Sequence, residues 1–459
     1  MGFNGINTAL TALRVQRQGL ELAGQNIANA GTEGYTRQRL ETTSIGGSSV
    51  PALWANKPIG ETGGGVQVTS VNRLKDAYIE ARTRYEHERQ ATTTTTHEVM
   101  VDAERVYNEP GTSGLQAQLN NMWAGFADVA DNPKDPAART QLLTRAQSVA
   151  SALNSSASEL SGQYDNRRTE LVSTVNDINS AASQLADLNG AVIRAKSAGV
   201  SYNELSDQRD VVAMKLVEQT GAQLSQAADG SYTMSLGGSN LVSGTTARAL
   251  KVAGGASITA AQSGDTAGLK WVDTDSATTG VSGTAGAITN ALTTVLPGQL
   301  TGFDKVAAAL VNQVNTANAA GFTTTGVAGG PLLSGSTAMG VAVATTDPFA
   351  IAASGDKTQA YNGANADAMA RLGTTGTADT IYQTNVADIG MKVRAAESAA
   401  NTQDGITTQV DAARSAASGV NLDEELTSMI SYQRSYEAAA KLMTAVDSML
   451  DTLINRMGA

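Results

Sequence analysis

From Leu422 onward, large side chains recur every seven residues: Leu422, Met429, Tyr436, Met443, Leu450 and Met457. A second row, three residues on, adds Tyr432, Ala439, Val446 and Leu453. Spacings of three and four put both rows on one stripe of an α-helix. Asn421 is placed to cap that helix, with Glu424 three residues on, and Asp423 and Glu425 complement the positive end of its dipole. No Pro or Gly interrupts the stretch from Asn421 to Met457. The pattern predicts one helix of roughly 55 Å. A single compact domain does not easily cover that length, so the stripe requires a partner.

The first stretch mirrors the last. Ile6, Leu13, Leu20 and Ile27 repeat at seven, with Leu10 beside them. They predict an amphipathic helix of about 25 residues that ends at the glycines of Asn29-Ala30-Gly31-Thr32-Glu33-Gly34-Tyr35. Two heptad-like stripes at opposite ends of one chain favour a mutual coiled coil or an intermolecular bundle.

Between them the period changes twice. Residues 41–65 read as an extended Ser/Gly/Pro-containing loop, followed by a short strand at Val66-Gln67-Val68. Helices are predicted over 73–108, with Tyr78, Tyr85, Val99 and Val106 on one row, and over 114–130. Two more follow, over 137–161 and 163–198. Ser201 and Glu204 have capping-box spacing and open a helix to about Glu218. At Gly221 the period becomes two, and Tyr232–Leu236, Gly237-Gly238 and Leu241-Val242 read as a hairpin. Strands and turns continue to about 284. A helix returns over 287–319, broken near Pro297. Short strands at 341–343 and 349–352 follow, then helices over 362–372 and 380–416.

The expected architecture is mainly α, elongated and multidomain, with paired terminal helices, a helical-bundle middle domain and a small outer β domain. The nested boundaries are 1–65 with 417–459, then 66–220 with 285–416 (including a β segment near 321–355), then 221–284.

Composition narrows the function. Aromatics are only 4% of the chain, so its cores are built from Ala, Val, Leu and Ile. The net charge of -11, with no Lys/Arg cluster, argues against nucleic acid and anionic membrane surfaces as partners. There is no cysteine, which excludes disulfides, thiolate metal sites and cysteine nucleophiles. No apolar run is long enough for a membrane span, and the N-terminus lacks the pattern of a Sec signal.

Catalytic chemistry is hard to build. Neither His87-Glu88 nor His97-Glu98 has a second histidine four residues on; Ala91 and Val101 stand there. Both histidines read as solvated helix-surface groups. No GxSxG elbow is present. The chain is expected not to be an enzyme and to hold no metal or cofactor.

Three segments resemble a known family. Asn26-Ile27-Ala28-Asn29-Ala30-Gly31-Thr32-Glu33-Gly34-Tyr35-Thr36-Arg37-Gln38 resembles the N-terminal signature of bacterial flagellar axial proteins: rod, hook and hook-associated. Ser418 to Glu425, with Asn421, followed by Tyr432-Gln433-Arg434-Ser435-Tyr436, resembles their C-terminal signature. The connector Gly65-Val66-Gln67-Val68, running to Arg73, fits as well. Leu205-Ser206-Asp207-Gln208-Arg209-Asp210 is similar to an internal signature of the junction-forming, hook-associated branch.

That resemblance implies a structural flagellar subunit at the hook–filament junction, with a hook or rod subunit as the alternative. It implies export through the flagellar export apparatus without a cleaved signal, and an extracellular location. The implied partners are further copies of the chain, about eleven per helical turn, the hook protein, and a second junction protein, hook-associated protein 3. An export chaperone is expected at the C-terminal stripe. Ile6, Leu10, Leu13, Leu20, Ile27, Leu422, Met429, Tyr436, Met443, Leu450, Leu453 and Met457 are the expected assembly contacts. Ordering so long a terminus costs more backbone entropy than one row of buried side chains returns. The ends are therefore expected to fray in the monomer and to order on assembly.

Overall fold

A computed structural model describes residues 2–45 and 64–452. Leu453 and Met457 lie outside the described residues, as does most of the 41–65 loop. The N-terminal helix α1 spans Gly2–Ala28 and the C-terminal helix α12 spans Leu422–Asp451. Asn421 caps α12 as its position predicts, accepting from the N–H groups of Asp423 at 3.0 Å and Glu424 at 3.4 Å.

The connector is a hairpin of two strands. β1 (Gln38–Ile45) pairs antiparallel with β2 (Gly65–Arg73), from Gln38 opposite Arg73 to Ile45 opposite Gly65. Reading 41–65 as loop throughout misses the second half of β1. Only Gln38 and Leu40 of that strand are buried, so it lacks an alternating apolar signal.

The middle of the molecule is helical: α2 (Ala77–Arg105), α3 (Leu115–Asp131), α4 (Pro136–Ser197), α5 (Asn203–Thr220) and later α11 (Thr377–Ser418). Helix α4 is one element of 62 residues, roughly 93 Å long, where the sequence predicts two. Gly162 does not break it, because buried Leu160 and Tyr164 on one side and Leu171 and Val175 on the other continue a single packed face. Tertiary burial outweighs the cost of about 1 kcal/mol for a helical glycine. The capping box at Ser201 does not form: α5 starts after Tyr202 without a side-chain cap, and Glu204 instead accepts from Gln25 at 2.9 Å.

Helix α2 runs antiparallel along α11. Its row of Tyr78, Tyr85, Val99 and Val106 is buried only at the upper end; Tyr78 and Tyr85 are exposed. The lower interface is polar. Arg414 donates to Glu80 at 2.8 and 3.2 Å, and Gln403 donates to Glu86 at 2.8 Å. Buried polar groups are tolerated here because each finds a partner.

The β-rich part holds two small sheets. β3 (Gln223–Gln226), β4 (Tyr232–Leu236), β5 (Ser239–Ser243) and β6 (Thr246–Ala247) form an antiparallel meander, with Tyr232, Met234 and Leu236 facing inward. β7 (Leu250–Ala253) and β8 (Gly268–Trp271) pair around a short helix, α6 (Ile258–Gln262). Two asparagines of α4 fasten them. Asn189 donates to the carbonyls of Tyr232 and Gly244 at 2.9 and 2.8 Å and accepts from Tyr232 N–H at 2.9 Å. Asn179 does the same for Leu250.

The chain re-enters the bundle through α7 (Gly283–Asn290) and α8 (Leu296–Ala320). The expected break at Pro297 is a single π-helical stretch, Ala291–Val295. The wider turn keeps the helix continuous where proline removes a donor and crowds the preceding carbonyl. Beyond it, β9 (Leu333–Ser334) pairs with β10 (Ala342–Val343), and α9 (Ala364–Ala370) and α10 (Leu372–Thr375) lead to α11. Residues 349–352, read as a strand, instead begin in a 3₁₀ turn, Pro348–Ala350. Its polar cap is Asp347, whose carboxylate accepts from Phe349 N–H at 2.9 Å.

Candidate functional site: the paired termini and their lock on the middle domain

Three contacts set the register of α1 against α12. A Cβ on Gly5 would meet Val446 at 3.3 Å, and one on Gly19 would meet the Tyr432 ring at 2.6 Å. Asn26 donates to Glu425 at 3.1 Å. The helices are antiparallel, and Ala12 stands level with Ala439. The face of α1 that meets its partner is therefore a stripe of small residues, Gly5, Ala9, Ala12, Gly19 and Ala23, at helical spacing. On α12 the matching face is the second row, Tyr432, Ala439 and Val446, extended by Glu425.

The first rows lie elsewhere. Ile6, Leu10, Leu13, Leu20 and Ile27 are half-buried, as are Met429, Met443 and Leu450. Leu422 is 50% exposed and Tyr436 39% exposed. Small residues let the two backbones approach closely, and the rows of large apolar groups flank that contact, half-buried along most of their length. A second face of α1, carrying Val15 and Leu22, is buried toward the connector, where Leu22, Leu40 and Val71 line one recess.

The connector is held at both ends by charge. Arg37 donates to Glu425 at 2.6 Å and to Glu424 at 2.6 Å, and its backbone N–H donates to the Ser418 carbonyl at 3.0 Å. The acidic start of α12 thus does more than complement the helix dipole; it grips the turn after α1. Burial lowers the Arg37 pKa, but the two carboxylates outweigh it and hold it above its ordinary value. Tyr35 donates to Asn26 at 2.8 Å, and burial, reinforced by Asp207, Glu204 and Glu425, pushes its hydroxyl up to about 12.

The motif Asp207-Gln208-Arg209-Asp210 sits on α5 facing this connector. Asp207 accepts from Thr36 N–H at 3.2 Å and from Arg73 at 2.8 Å. Asp210 accepts from Arg73 at 2.6 Å, from Tyr232 at 2.6 Å and from Lys75. Burial raises the Asp210 pKa, and Lys75 and Arg73 outweigh it to hold the carboxyl below the usual range. Arg209 turns the other way. It donates to the Gly230 carbonyl at 2.8 Å and lies 3.6 Å over the Tyr232 ring. One turn of helix therefore joins the connector on one side and the β meander on the other. Gln208 is exposed.

Among the other motif residues, Asn29 closes α1 by donating to the Gln25 carbonyl at 3.0 Å. Gly34 has φ +77°, a conformation that favours glycine, and Val211 fills the space where its Cβ would be. Gln433 and Arg434 point to solvent on α12. The solvated reading of His87 is overturned. Its ring lies between Glu218 of α5 and Asp411 of α11, at 2.9 Å from each, and joins three helices. Long-range partners of this kind leave no mark in the local sequence.

Among the described residues no group of His, Cys, Asp or Glu could hold a metal ion, and no described helix is long and apolar enough to cross a membrane. A family model for the flagellar hook-associated protein FlgK helical domain matches residues 100–333. The chain belongs to the FlgK family of flagellar hook-associated proteins. A second model, for the C-terminal part of the flagellar basal body rod FlgEFG proteins, matches residues 413–457. Flagellar hook-associated protein 1 of Bacillus subtilis is 28% identical over 99% of this chain and 98% of its own length. Its namesake in Escherichia coli is 30% identical over 53% of this chain and 44% of its own length. The structure of the flagellar hook junction protein FlgK from Burkholderia pseudomallei superposes with a TM-score of 0.62 at 17% identity, covering 72% of this chain and 99% of that one.

Membership of this family makes the chain a structural component of the flagellar hook–filament junction. It favours that reading over the hook or rod subunit, although the C-terminal module is shared with rod proteins. The mainly helical, multidomain architecture agrees with that of the solved relative.

Proposed function

We propose that the chain is an adaptor that self-assembles into a short helical tube at the tip of the hook and lets the filament grow beyond it. The observation that carries this is the division of labour on the terminal helices. Small residues are used up within the chain, while Leu422, Leu426, Ile430, Tyr436, Leu442 and Met449 of α12 are exposed and Ile6, Leu13, Leu20, Met429, Met443 and Leu450 stay half-buried. Monomers rarely leave so large an apolar surface without a partner.

In this reading residues 1–65 with 417–459 form the innermost layer of the tube, 66–220 with 285–416 the next, and 221–284 face outward. Neighbouring copies, about eleven per turn, bury the open rows, including Leu10, Ile27, Leu453 and Met457. The hook protein adjoins one end and hook-associated protein 3 the other. The subunit travels through the flagellar export apparatus without a cleaved signal, with a chaperone on the open face of α12, and acts outside the cell. No catalysis is assigned to it.

The test is electron microscopy of a strain lacking the chain. Hooks without filaments, with filament protein shed to the medium, are expected. Normal filaments on that strain would overturn the proposal, and immunogold label along the whole hook would favour a hook subunit instead.

A further inference from the structure

The lower half of α2 carries a surface that the described residues leave uncovered. Tyr78, Arg82, Tyr85 and Arg89 follow one another at the spacing of a single helical stripe. Tyr78 is 74% and Tyr85 57% exposed. Arg89 lies 5.6 Å from the centre of the Tyr85 ring, and among the described residues Arg82 has one ion-pair partner, Glu86, at 3.9 Å. Exposed tyrosine and arginine side by side are the residue types that anchor protein interfaces. On a chain of net charge -11, this face is basic and aromatic.

Its complement stands on the far side of the same domain. Helices α5 and α7 each pack against both α2 and α4. On the outward stripe of α4, Ser173, Asp177, Ser180, Gln184 and Asp187 are all exposed, at the same helical spacing. Asp177 and Asp187 have no ion-pair partner among the described residues. Small serines between the acids leave room for rings. The two stripes also share a height. Arg167 of α4 holds Asp102 of α2 at 2.7 Å, and the opposite ends of both helices, at Lys196 and Lys75, line one crevice beside the connector.

We propose that these stripes meet between copies: the Tyr78–Arg89 face of one subunit docks on the Asp177–Asp187 face of the next. The contact joins two different surfaces, so it repeats around a ring or helix instead of closing as a dimer. The proposal rests on the tube reading above and adds a lateral contact in the middle layer, distinct from the terminal helices.

Charge exchange in the full chain tests it. The Arg82→Glu/Arg89→Glu variant and the Asp177→Arg/Asp187→Arg variant are each expected to keep the parental circular dichroism and to lower junction assembly about tenfold or more. Combining all four changes restores opposite charges across the contact and is expected to recover most of the loss. Parental assembly by both double variants, or a fourfold variant no better than they are, would overturn the proposal. Because the chain has no cysteine, Tyr85→Cys with Gln184→Cys gives a second readout. A bifunctional thiol reagent should yield a covalent ladder from isolated junctions only when both are present; no ladder, or a ladder from either single variant, counts against the contact. Immunogold on the unaltered protein separates the two readings: label at the hook tip with no effect of these variants would sink the lateral contact alone.

Discussion

Arg73, the last residue of β2, donates to Asp210 of α5 at 2.6 Å and to Asp207, three residues earlier, at 2.8 Å. A single guanidinium thus ties the connector from the terminal helices to the motif turn of the middle domain. Arg73→Ala would leave two sheltered carboxylates, Asp210 with Lys75 and Tyr232 and, among the described residues, Asp207 with the Thr36 N–H alone. Removing one partner from a buried ion pair typically costs about 3–5 kcal/mol, and Lys75 should keep the loss near the lower end. Chemical denaturation checks the size, and hydrogen exchange over residues 65–75 should show the connector released first. Asp210 is held below the usual carboxylate range, so its contribution is present at neutral pH and is lost as pH falls through its folded value.

Glycine positions on α1 separate packing from propensity. At Gly19 a Cβ would lie 2.6 Å from the Tyr432 ring, whereas at Gly24 it would meet nothing within 4 Å. Gly19→Ala should push α1 off α12 and abolish assembly. Gly24→Ala should leave the pair intact and stabilise it by about 0.5–1 kcal/mol through helix propensity. Thermal melts of the two variants should move in opposite directions.

His87 supplies a pH dependence with a definite sign. Its hydrogen bond to Glu218 raises its pKa; burial opposes this and Asp411 adds to it. A raised histidine pKa contributes stability that is complete below the unfolded value of about 6.5 and is lost as pH climbs through the folded value. The melting temperature should therefore fall between mildly acidic and mildly alkaline pH, and His87→Gln should flatten that slope. An equal slope in the variant would remove His87 as the cause.

The half-buried rows of the terminal helices predict a clean separation of middle-domain folding from assembly. Met443→Asp with Leu450→Asp should leave the denaturation profile of the middle domain unchanged and abolish swimming. Normal swimming by that variant would count against the assigned assembly face.

Limited proteolysis of the purified monomer addresses the order of the ends. Cleavage is expected within α1 and α12 before the middle domain, because their large apolar groups are only half-buried or exposed until neighbours cover them. Termini that resist as long as α4 does would contradict this.

Much of the molecule was legible from periodicity. The terminal helices, the Asn421 cap, the change of period at Gly221 and the hairpin of β4 and β5 all rest on interactions within a few residues, and those are written in spacing. The axial family resemblance was legible too, since its motifs are contiguous. What spacing could not decide was which face of each helix meets which partner. The second heptad row of α12 does meet α1, but the row of large side chains on α1 does not carry the contact; Gly5 and Gly19 do, because close backbone approach needs small groups. Likewise α2 buried Glu80 and Glu86 beneath Arg414 and Gln403 and left Tyr78 and Tyr85 outside. Nothing in the local sequence marks Asn189, whose partner Tyr232 lies on a strand 43 residues further along the chain. Local pattern determined most of the segments that are helix or strand; only the tertiary structure, by bringing distant donors to buried acceptors, decided what those segments hold.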